Sequence, residues 1–319
     1  MREKRFRNNE TTYVGRLSWD LKTPVVLMIF NRPETTHQVF EAVRAVRPRQ
    51  LLVVADGPRP LNQGEVERCR ETRAIIESVD WDCQVLTNYS SENLGCMRRV
   101  SSGLDWVFQE VDEAIILEDD CLPHPSFFRY CSELLEYYRN ESQIAQICGA
   151  NFQFNRCQLP YSYYFSRYNH IWGWASWKRA WESHDNEMTD WPDLRKSKLL
   201  ENILSGKKET TYWTDVLDRV YAGEIDTWDC RWTLSCWKNR MLSVIPSVNL
   251  VSNIGFGPGA THTPVPNRYA SMETESIAFP LCHPSVIEVD SEADDYTGKT
   301  MFRTPTMTDR IINRFRRHI

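Results

Sequence analysis

Apolar strands alternate with helices over residues 24–120, and this order constrains the fold more than any other feature of the chain. Continuous apolar runs cover residues 25–30 and 51–55, and such runs are typical of strands that are buried on both faces of a sheet. Further strands are predicted within residues 83–89 and over 114–117, with a helix before each later strand. A helix between successive strands makes them parallel neighbours in one sheet. We therefore predict an α/β fold with a mixed, mainly parallel sheet flanked by helices.

Polar side chains follow these strands at the point where each strand ends. Asn31 and Arg32 follow the first strand, Asp56 follows the second, and an acidic triplet at 118–120 follows the fourth. Ligands of open α/β sheets bind beyond the carboxyl ends of the strands. The sequence therefore predicts a ligand site at this edge of the sheet.

The triplet Glu118, Asp119 and Asp120 predicts a site for a divalent cation. Adjacent carboxylates repel one another and are costly to desolvate, and a bound cation removes that cost. Because side chains alternate along an extended chain, we expect Glu118 and Asp120 to face one way and Asp119 the other. Magnesium takes one or two protein carboxylates and leaves its other positions to water and phosphate. We therefore predict Mn²⁺ or Mg²⁺ beside a nucleotide diphosphate, the alternative being acids that cap the next helix or lie in solvent.

A longer segment around the triplet makes this prediction more specific. In AIILEDDCLPHPSFFRYCSELL the acids end a strand, and a Pro-containing turn leads to a helix with two Phe residues. FNRP, VVADGP and NLGCMRRVSSGLDWVF precede this segment, and HIWGWASWKRAW, IDTWDCRW and NIGFGPGATH follow it. In this order the segments resemble the N-acetylglucosaminyltransferase I-like family of GT-A glycosyltransferases over roughly residues 24–262. The resemblance implies a GT-A (Rossmann-like) fold and a nucleotide-sugar donor, with uracil as the implied base and guanine or thymine left open.

The resemblance also divides the chain into four parts. We expect a polar lead-in over 1–23, a nucleotide-sugar-binding half over 24–135 and an acceptor-side lobe with the catalytic residues over 136–262. Residues 263–319 are rich in Pro and charge and show little periodicity, so we expect a C-terminal tail wrapped on the domain. The elements predicted after the triplet are helices near 126–139, 196–204 and 211–222 and strands near 143–151 and 241–253.

Roles for the acidic and basic residues of the donor site follow from the resemblance. Asp120 is implied to be the principal metal ligand, and Glu118 and Asp119 are implied to support the sugar, the ribose or metal-bound water. Arg32 is implied to lie near the donor phosphates, where a guanidinium can bind bidentately. Asp56 is implied to recognise the base.

The resemblance places further residues around the donor. Arg99 is the implied basic residue near the nucleotide, whereas Arg98 is expected to be a surface charge. Gly173 and Trp174 are implied to line the cleft between donor and acceptor, with at least one Trp of this segment in the core. His262 ends a Gly-rich segment and is expected beside the phosphates first and as a metal ligand second.

The catalytic base is predicted at Asp229. A carboxylate that takes the proton of the incoming hydroxyl leads to displacement with inversion, and Asp229 lies between Trp228 and Trp232, whose apolar walls can raise a carboxyl pKa. Asp226 is the rival candidate, but as a helix N-cap it has a structural role in the sequence IDTWD. Glu224 is a weaker third candidate.

Composition restricts the partners and the compartment. The net charge of −5 argues against a nucleic-acid partner, so we expect a nucleotide-sugar donor and a glycan or glycolipid acceptor. The charged N-terminus and the ten dispersed Cys residues, without a CxxC pair, indicate a cytoplasmic protein without a secretory signal or zinc site. Four Arg residues interleave with apolar residues over 310–319, which indicates either peripheral contact with an anionic membrane or a plain surface helix.

Two other functions are open at this point. A sugar nucleotidyltransferase would use a similar sheet and acidic residues, but FNRPETTHQ lacks the Gly-rich loop that such enzymes place after the first strand. A catalytically inactive protein that binds nucleotides or carbohydrates would be distinguished by binding without turnover. A dinucleotide-binding domain is disfavoured because no GxGxxG follows the first strand.

Overall fold

The computed structural model describes residues 19–156, 160–256 and 268–302. The strands in these ranges are β1 (Val25–Ile29), β2 (Gln50–Ala55), β3 (Gln84–Tyr89), β4 (Glu113–Glu118), β5 (Cys121–Pro123), β6 (Ile144–Cys148), β7 (Tyr163–Ser166), β8 (Trp174–Trp177), β9 (Leu242–Pro246) and β10 (Val251–Asn253). The helices are α1 (Pro33–Val46), α2 (Glu65–Ala74), α3 (Cys96–Glu110), α4 (Pro125–Tyr137), α5 (Lys178–Trp181), α6 (Trp191–Lys196), α7 (Leu199–Ile203), α8 (Lys207–Tyr221), α9 (Asp229–Lys238) and α10 (Ser291–Met301). A short 3₁₀ helix, Ile75–Ser78, continues α2.

Eight of the described strands form one sheet in the order β3-β2-β1-β4-β8-β6-β9-β7. The first four are mutually parallel, and β1 lies between β2 and β4, with Val25 opposite Leu51 and Ile115. Strand β8 is antiparallel to both β4 and β6, β6 is parallel to β9, and β7 is antiparallel to β9. The prediction of a mixed, mainly parallel sheet flanked by helices is confirmed, and its parallel half has the Rossmann-like order 3-2-1-4.

Strand β1 explains why helices cover both faces of the sheet. All five of its residues are buried. Its odd-numbered residues pack with Phe40 of α1 and Phe127 of α4, whereas Val26 and Met28 pack with Leu104 of α3. Because successive side chains of a strand point to opposite faces, a run without polar residues needs an apolar partner on each side.

The segment predicted as a single strand over 241–253 is two strands in two different sheets. Strand β9 belongs to the large sheet, whereas β10 pairs antiparallel with β5 in a sheet of two strands. Between them the chain turns, and the Leu250 amide donates to the Gly149 carbonyl at 2.9 Å. This turn brings Asn253 opposite Cys121, directly beyond the acidic triplet.

The expected tail contains a helix that the periodicity did not predict. Helix α10 begins at an Asp290 cap, whose carboxylate accepts from the Ala293 amide at 2.9 Å. Its buried side chains are small or polar, among them Asp294, which accepts from the Ser166 hydroxyl at 2.5 Å. A helix that is buried through such residues shows no apolar stripe, which is the signal that sequence periodicity detects.

Both predicted halves of the chain contribute to the large sheet. Strands β6 and β8 follow residue 135 in the sequence, and β8 pairs directly with β4. The division at residue 135 stays a prediction. No described helix is both long and apolar enough to cross a membrane. The basic segment over 310–319 lies outside the described residues.

We expect Gly103→Ala to destabilise the protein because α3 packs on β2 at this glycine. A Cβ at Gly103 would lie 2.5 Å from Cγ1 of Val54. Overpacking of a core costs about 1–3 kcal/mol. The higher helix propensity of Ala relative to Gly offsets roughly 1 kcal/mol of this cost. Urea unfolding should therefore show a net loss. The control is Ser102→Ala on the exposed face of α3, and equal free energies of unfolding for the two variants would contradict the packing argument.

Candidate functional site at the carboxyl edge of the parallel strands

A cleft of about 510 Å³ lies at the carboxyl ends of β1, β2 and β4. The segments before α3 and α9 and the end of β10 complete its walls. Seven of the residues predicted from the sequence line it: Arg32, Asp56, Arg99, Glu118, Asp119, Asp120 and Asp229. The structure therefore brings these residues together, while their chemical roles stay predictions.

The acidic triplet lines the cleft with all three side chains. Glu118 is the last residue of β4, and the chain turns at Asp119 and Asp120. Oδ2 of Asp119 accepts from the Phe30 amide at 3.1 Å, which ties the end of β4 to the end of β1. The expectation that Asp119 faces away from its neighbours is wrong, because strand alternation ends at Glu118.

Arg32 neutralises part of the charge of this triplet. Its guanidinium donates to Oδ2 of Asp120 at 2.7 Å and lies 3.6 Å from Oδ1 of Asp119. Burial opposes the charge on Arg32, but Asp119 and Asp120 outweigh burial and raise its pKa. Burial and the charge of Asp120 also raise the pKa values of Glu118 and Asp119. Among the described residues Arg32 is the cation that pairs with these carboxyl groups, and three acids around one paired cation favour binding of a further positive charge.

The carboxylates fit a divalent cation that takes few protein ligands. Oε1 of Glu118 is buried and has no hydrogen-bond partner in the described part of the chain, and Asp120 carries the ion pair with Arg32. Within residues 19–156, 160–256 and 268–302, no group of three or more His, Cys, Asp or Glu side chains has metal-binding geometry. Glu118 and Asp120 are therefore the candidate ligands, in a site that would need phosphate and water to complete it.

The end of β10 holds Asp120 in place. The Ile254 amide donates to the Asp120 carbonyl at 2.8 Å, and the side-chain amide of Asn253 donates to Oδ1 of Asp120 at 3.4 Å. A Cβ on Gly255 would lie 2.0 Å from Oδ2 of Asp120. Gly255 was noted in the sequence as part of a Gly-rich segment, and the structure assigns it a close approach to the triplet. His262 lies outside the described residues.

Asp56 holds the loop that leads into α3. Its Oδ1 accepts from the Leu94 amide at 2.9 Å, and its Oδ2 accepts from the Gly95 amide at 3.2 Å and the Asn93 side chain at 3.0 Å. Burial raises the pKa of Asp56 although these hydrogen bonds oppose that shift. A carboxylate has about four acceptor positions, so these contacts favour a structural role for Asp56, and base recognition stays a prediction.

Arg99 is a buried cation on α3 at the wall of the cleft. It donates to Oδ1 of Asn88 at 2.9 Å, and its Nε has no partner among the described residues. Burial lowers its pKa. Arg98 is exposed, as expected for a surface charge.

Three predicted site residues do not line the cleft. The side-chain amide of Asn31 donates to Oε1 of Glu65 at 2.8 Å. Gly173 has a φ of +61°, and a Cβ there would lie 2.7 Å from Cγ2 of Val251, so its small size serves backbone packing rather than contact with a sugar. Trp174 is in the core and stacks on Trp228 at 5.7 Å.

Two positions that sequence reasoning did not select do line the cleft. Trp172 takes the position that was expected of Trp174. Arg59 lines the cleft and its Nε donates to Oε2 of Glu65 at 3.0 Å. The signal for Arg59 was its position directly after the turn that closes β2, where other site residues follow a strand end.

Asp229 is the first residue of α9 and lines the cleft. Its Oδ1 accepts from the Cys230 amide at 2.8 Å and from the Thr227 hydroxyl. Asp226 does not cap this helix as expected; instead its carboxylate accepts from the Cys96 amide at 3.1 Å, at the start of α3. Glu224 is exposed and pairs with Arg219 at 3.3 Å.

Comparisons with known proteins do not assign a family to this chain. No family model matches the chain, and no curated protein matches it. A solved structure of UDP-glucose pyrophosphorylase complexed with UDP-glucose is similar with a TM-score of 0.34 and 10% identity, over 70% of this chain and 90% of that chain. A likeness at this level carries no argument about activity. Fold and site define a mixed α/β protein with an acidic cleft at the carboxyl edge of its parallel strands.

The raised pKa values predict a pH dependence of stability. Because the folded protein holds protons on Glu118 and Asp119 that the unfolded chain releases near pH 4, the free energy of unfolding should fall as pH rises toward their folded pKa values, about 8 and about 7. Each such proton contributes up to about 1.4 kcal/mol per pH unit. Thermal melts between pH 5 and pH 8 should show a smaller decline in Glu118→Gln than in wild type. Glu110→Gln on the surface is the control, and identical declines in all three proteins would contradict the charge argument.

Proposed function

We propose that this chain is a metal-dependent, inverting glycosyltransferase that moves a sugar from a UDP-sugar to a hydroxyl of a glycan or glycolipid. The observation that supports it is the placement of Glu118, Asp119 and Asp120 in one cleft with Asp229. Asp229 comes from the separate helix α9, and its charge contributes to the raised pKa of Glu118. The three acids at 118–120 supply a site for the metal-bound diphosphate, and Asp229 supplies a base that accepts the proton of the acceptor hydroxyl.

The chemistry of the donor site follows from its charges. A departing nucleoside diphosphate carries negative charge, and a Mg²⁺ or Mn²⁺ ion held by Glu118 and Asp120 would supply Lewis-acid neutralisation when bound. Arg32 pairs with Asp120 at 2.7 Å, so its guanidinium is already at the position where it can bind a phosphate oxygen. Arg59 and Arg99 add two further guanidinium groups to the cleft wall.

The size and lining of the cleft suit a nucleotide. Its volume of about 510 Å³ lies within the range of roughly 300–1,000 Å³ that small-molecule sites occupy. Apolar side chains, among them Met28, Val54 and Val100, line it together with the acids. Apolar walls can bury a planar base and a ribose, whereas the acids and Arg32 belong at the diphosphate.

Asp229 fits the role of the base that accepts a proton from the acceptor hydroxyl. Two of its hydrogen bonds, from the Thr227 hydroxyl and from the Cys230 amide, reach Oδ1. These two bonds hold Oδ1, and we assign Oδ2 to the acceptor hydroxyl. A hydroxyl that is deprotonated there attacks the anomeric carbon as the diphosphate leaves, which inverts the configuration.

Nucleotide binding tests the donor site. Thermal melting with UDP, GDP and dTDP, each with and without Mn²⁺, should show a shift with UDP that needs Mn²⁺, because a ligand at one hundred times its dissociation constant adds about 2.7 kcal/mol. Asp120→Asn should lose the shift, and Glu110→Gln should keep it. The absence of a shift with every nucleotide would contradict the proposal. Formation of UTP from a UDP-sugar and pyrophosphate would indicate a nucleotidyltransferase instead, and binding without any turnover an inactive binding protein.

Replacement of the base tests the reaction. We expect Asp229→Asn to lower the rate of UDP release from a UDP-sugar by about 10²–10⁴-fold, the contribution that is typical of a general base. The dissociation constant of UDP with Mn²⁺ should stay the same, since Asp229 is assigned to the acceptor. Glu224→Gln is the matched control because Glu224 is exposed and pairs with Arg219. An undiminished rate in Asp229→Asn would remove Asp229 from this role.

A further inference from the structure

Two carboxylates from distant parts of the chain bind four successive amides at the start of α3. Asp56, at the end of β2, accepts from the amides of Leu94 and Gly95. Asp226 accepts from the next two, with Oδ2 at 3.1 Å from the Cys96 amide and Oδ1 at 3.2 Å from the Met97 amide. Helix α3 has no side-chain cap from its own N-cap residue, Gly95. The free amides of its first turn are therefore satisfied by a residue about 130 positions later in the sequence.

Gly95 is shaped to admit the Asp226 carboxylate. Its φ of +80° lies in the region that favours glycine, and a Cβ there would lie 2.8 Å from Oδ2 of Asp226. A residue with a side chain at position 95 would therefore meet the capping carboxylate. Gly95→Ala is therefore a second variant that should disrupt the contact between Asp226 and the start of α3.

The capping contact sets the position of the segment that carries the base. The four-residue segment 226–229 contains Asp226, Thr227 and Asp229, and all three line the cleft. Thr227 in turn donates to Oδ1 of Asp229. We propose that Asp226 is a positioning residue, which links the start of α3 to the 226–229 segment and so places the Asp229 carboxylate against the donor wall. This inference rests on the proposed function only for its effect on turnover, since the link itself is structural.

Hydrogen exchange tests the link without any substrate. In Asp226→Ala and in Gly95→Ala, amide exchange should rise in the peptide that covers 94–100 and also in the peptide that covers 225–232, by about five- to tenfold as for the loss of a helix cap. Asp226→Asn keeps an acceptor oxygen and should lie between wild type and Asp226→Ala. The matched control is Asp290→Ala, which removes the cap of α10 and should leave both peptides unchanged. A rise confined to 94–100 would overturn the inference.

Turnover provides the second measurement. With Mn²⁺ and a UDP-sugar, and with water as the acceptor, kcat for UDP release should fall about tenfold or more in Asp226→Ala, because small misplacements of a catalytic group can cost about 10²-fold. The dissociation constant of UDP should change by less than about twofold, as expected when ground-state binding is intact. An unchanged kcat in a variant whose 225–232 peptide exchanges faster would also overturn the inference. If wild type neither binds UDP nor releases it, the proposed function fails while the exchange experiment still decides the link.

Discussion

The ion pair between Arg32 and Asp120 is the interaction on which the rest of the site depends. It joins the residue before α1 to the turn after β4, at the ends of the neighbouring parallel strands β1 and β4. The Asp119 carboxylate adds a hydrogen bond from the Phe30 amide at the same place. Without these contacts the three acids at 118–120 would lose the cation that pairs with them at the ends of β1 and β4. The sheet topology therefore determines where the acids lie, and the positive charge of Arg32 reduces the repulsion among them.

Carboxylates also accept hydrogen bonds from backbone amides at the α3 wall of the cleft. Asp56, directly after β2, and Asp226, from the segment before α9, accept from the amides at the start of α3, so two side chains connect three stretches of the chain. A helix N-terminus carries a partial positive charge that favours such anions. The start of α3 is thus held by long-range contacts rather than by a local capping sequence.

The sequence predicted those parts of the molecule that are determined locally. Buried strands such as β1 are recognisable because they lack polar residues. The acids at 118–120 are recognisable because adjacent carboxylates at the end of a buried strand are costly to desolvate unless a cation binds them. Contacts across the chain were beyond such reasoning. The cap that Asp226 provides falls on α3 rather than on α9, and Trp174 turns into the core while Trp172 lines the cleft. Hydropathy and spacing contain no information on which of two neighbouring rings faces a cavity.

Buried acids elsewhere in the protein show why burial alone does not define the site. Asp294 is buried and its pKa is raised to about 6, yet it accepts hydrogen bonds from Ser166 and Arg167 and anchors α10. Burial likewise raises the pKa of Glu209 to about 7, and Glu209 is not among the residues that line the cleft. The acids at 118–120 differ because they line an open cleft; within the described residues Arg32 is the cation that pairs with them, and Oε1 of Glu118 has no hydrogen-bond partner. A ligand can reach them, so their unbalanced charge supports the proposed binding of a cation and a diphosphate in this cleft.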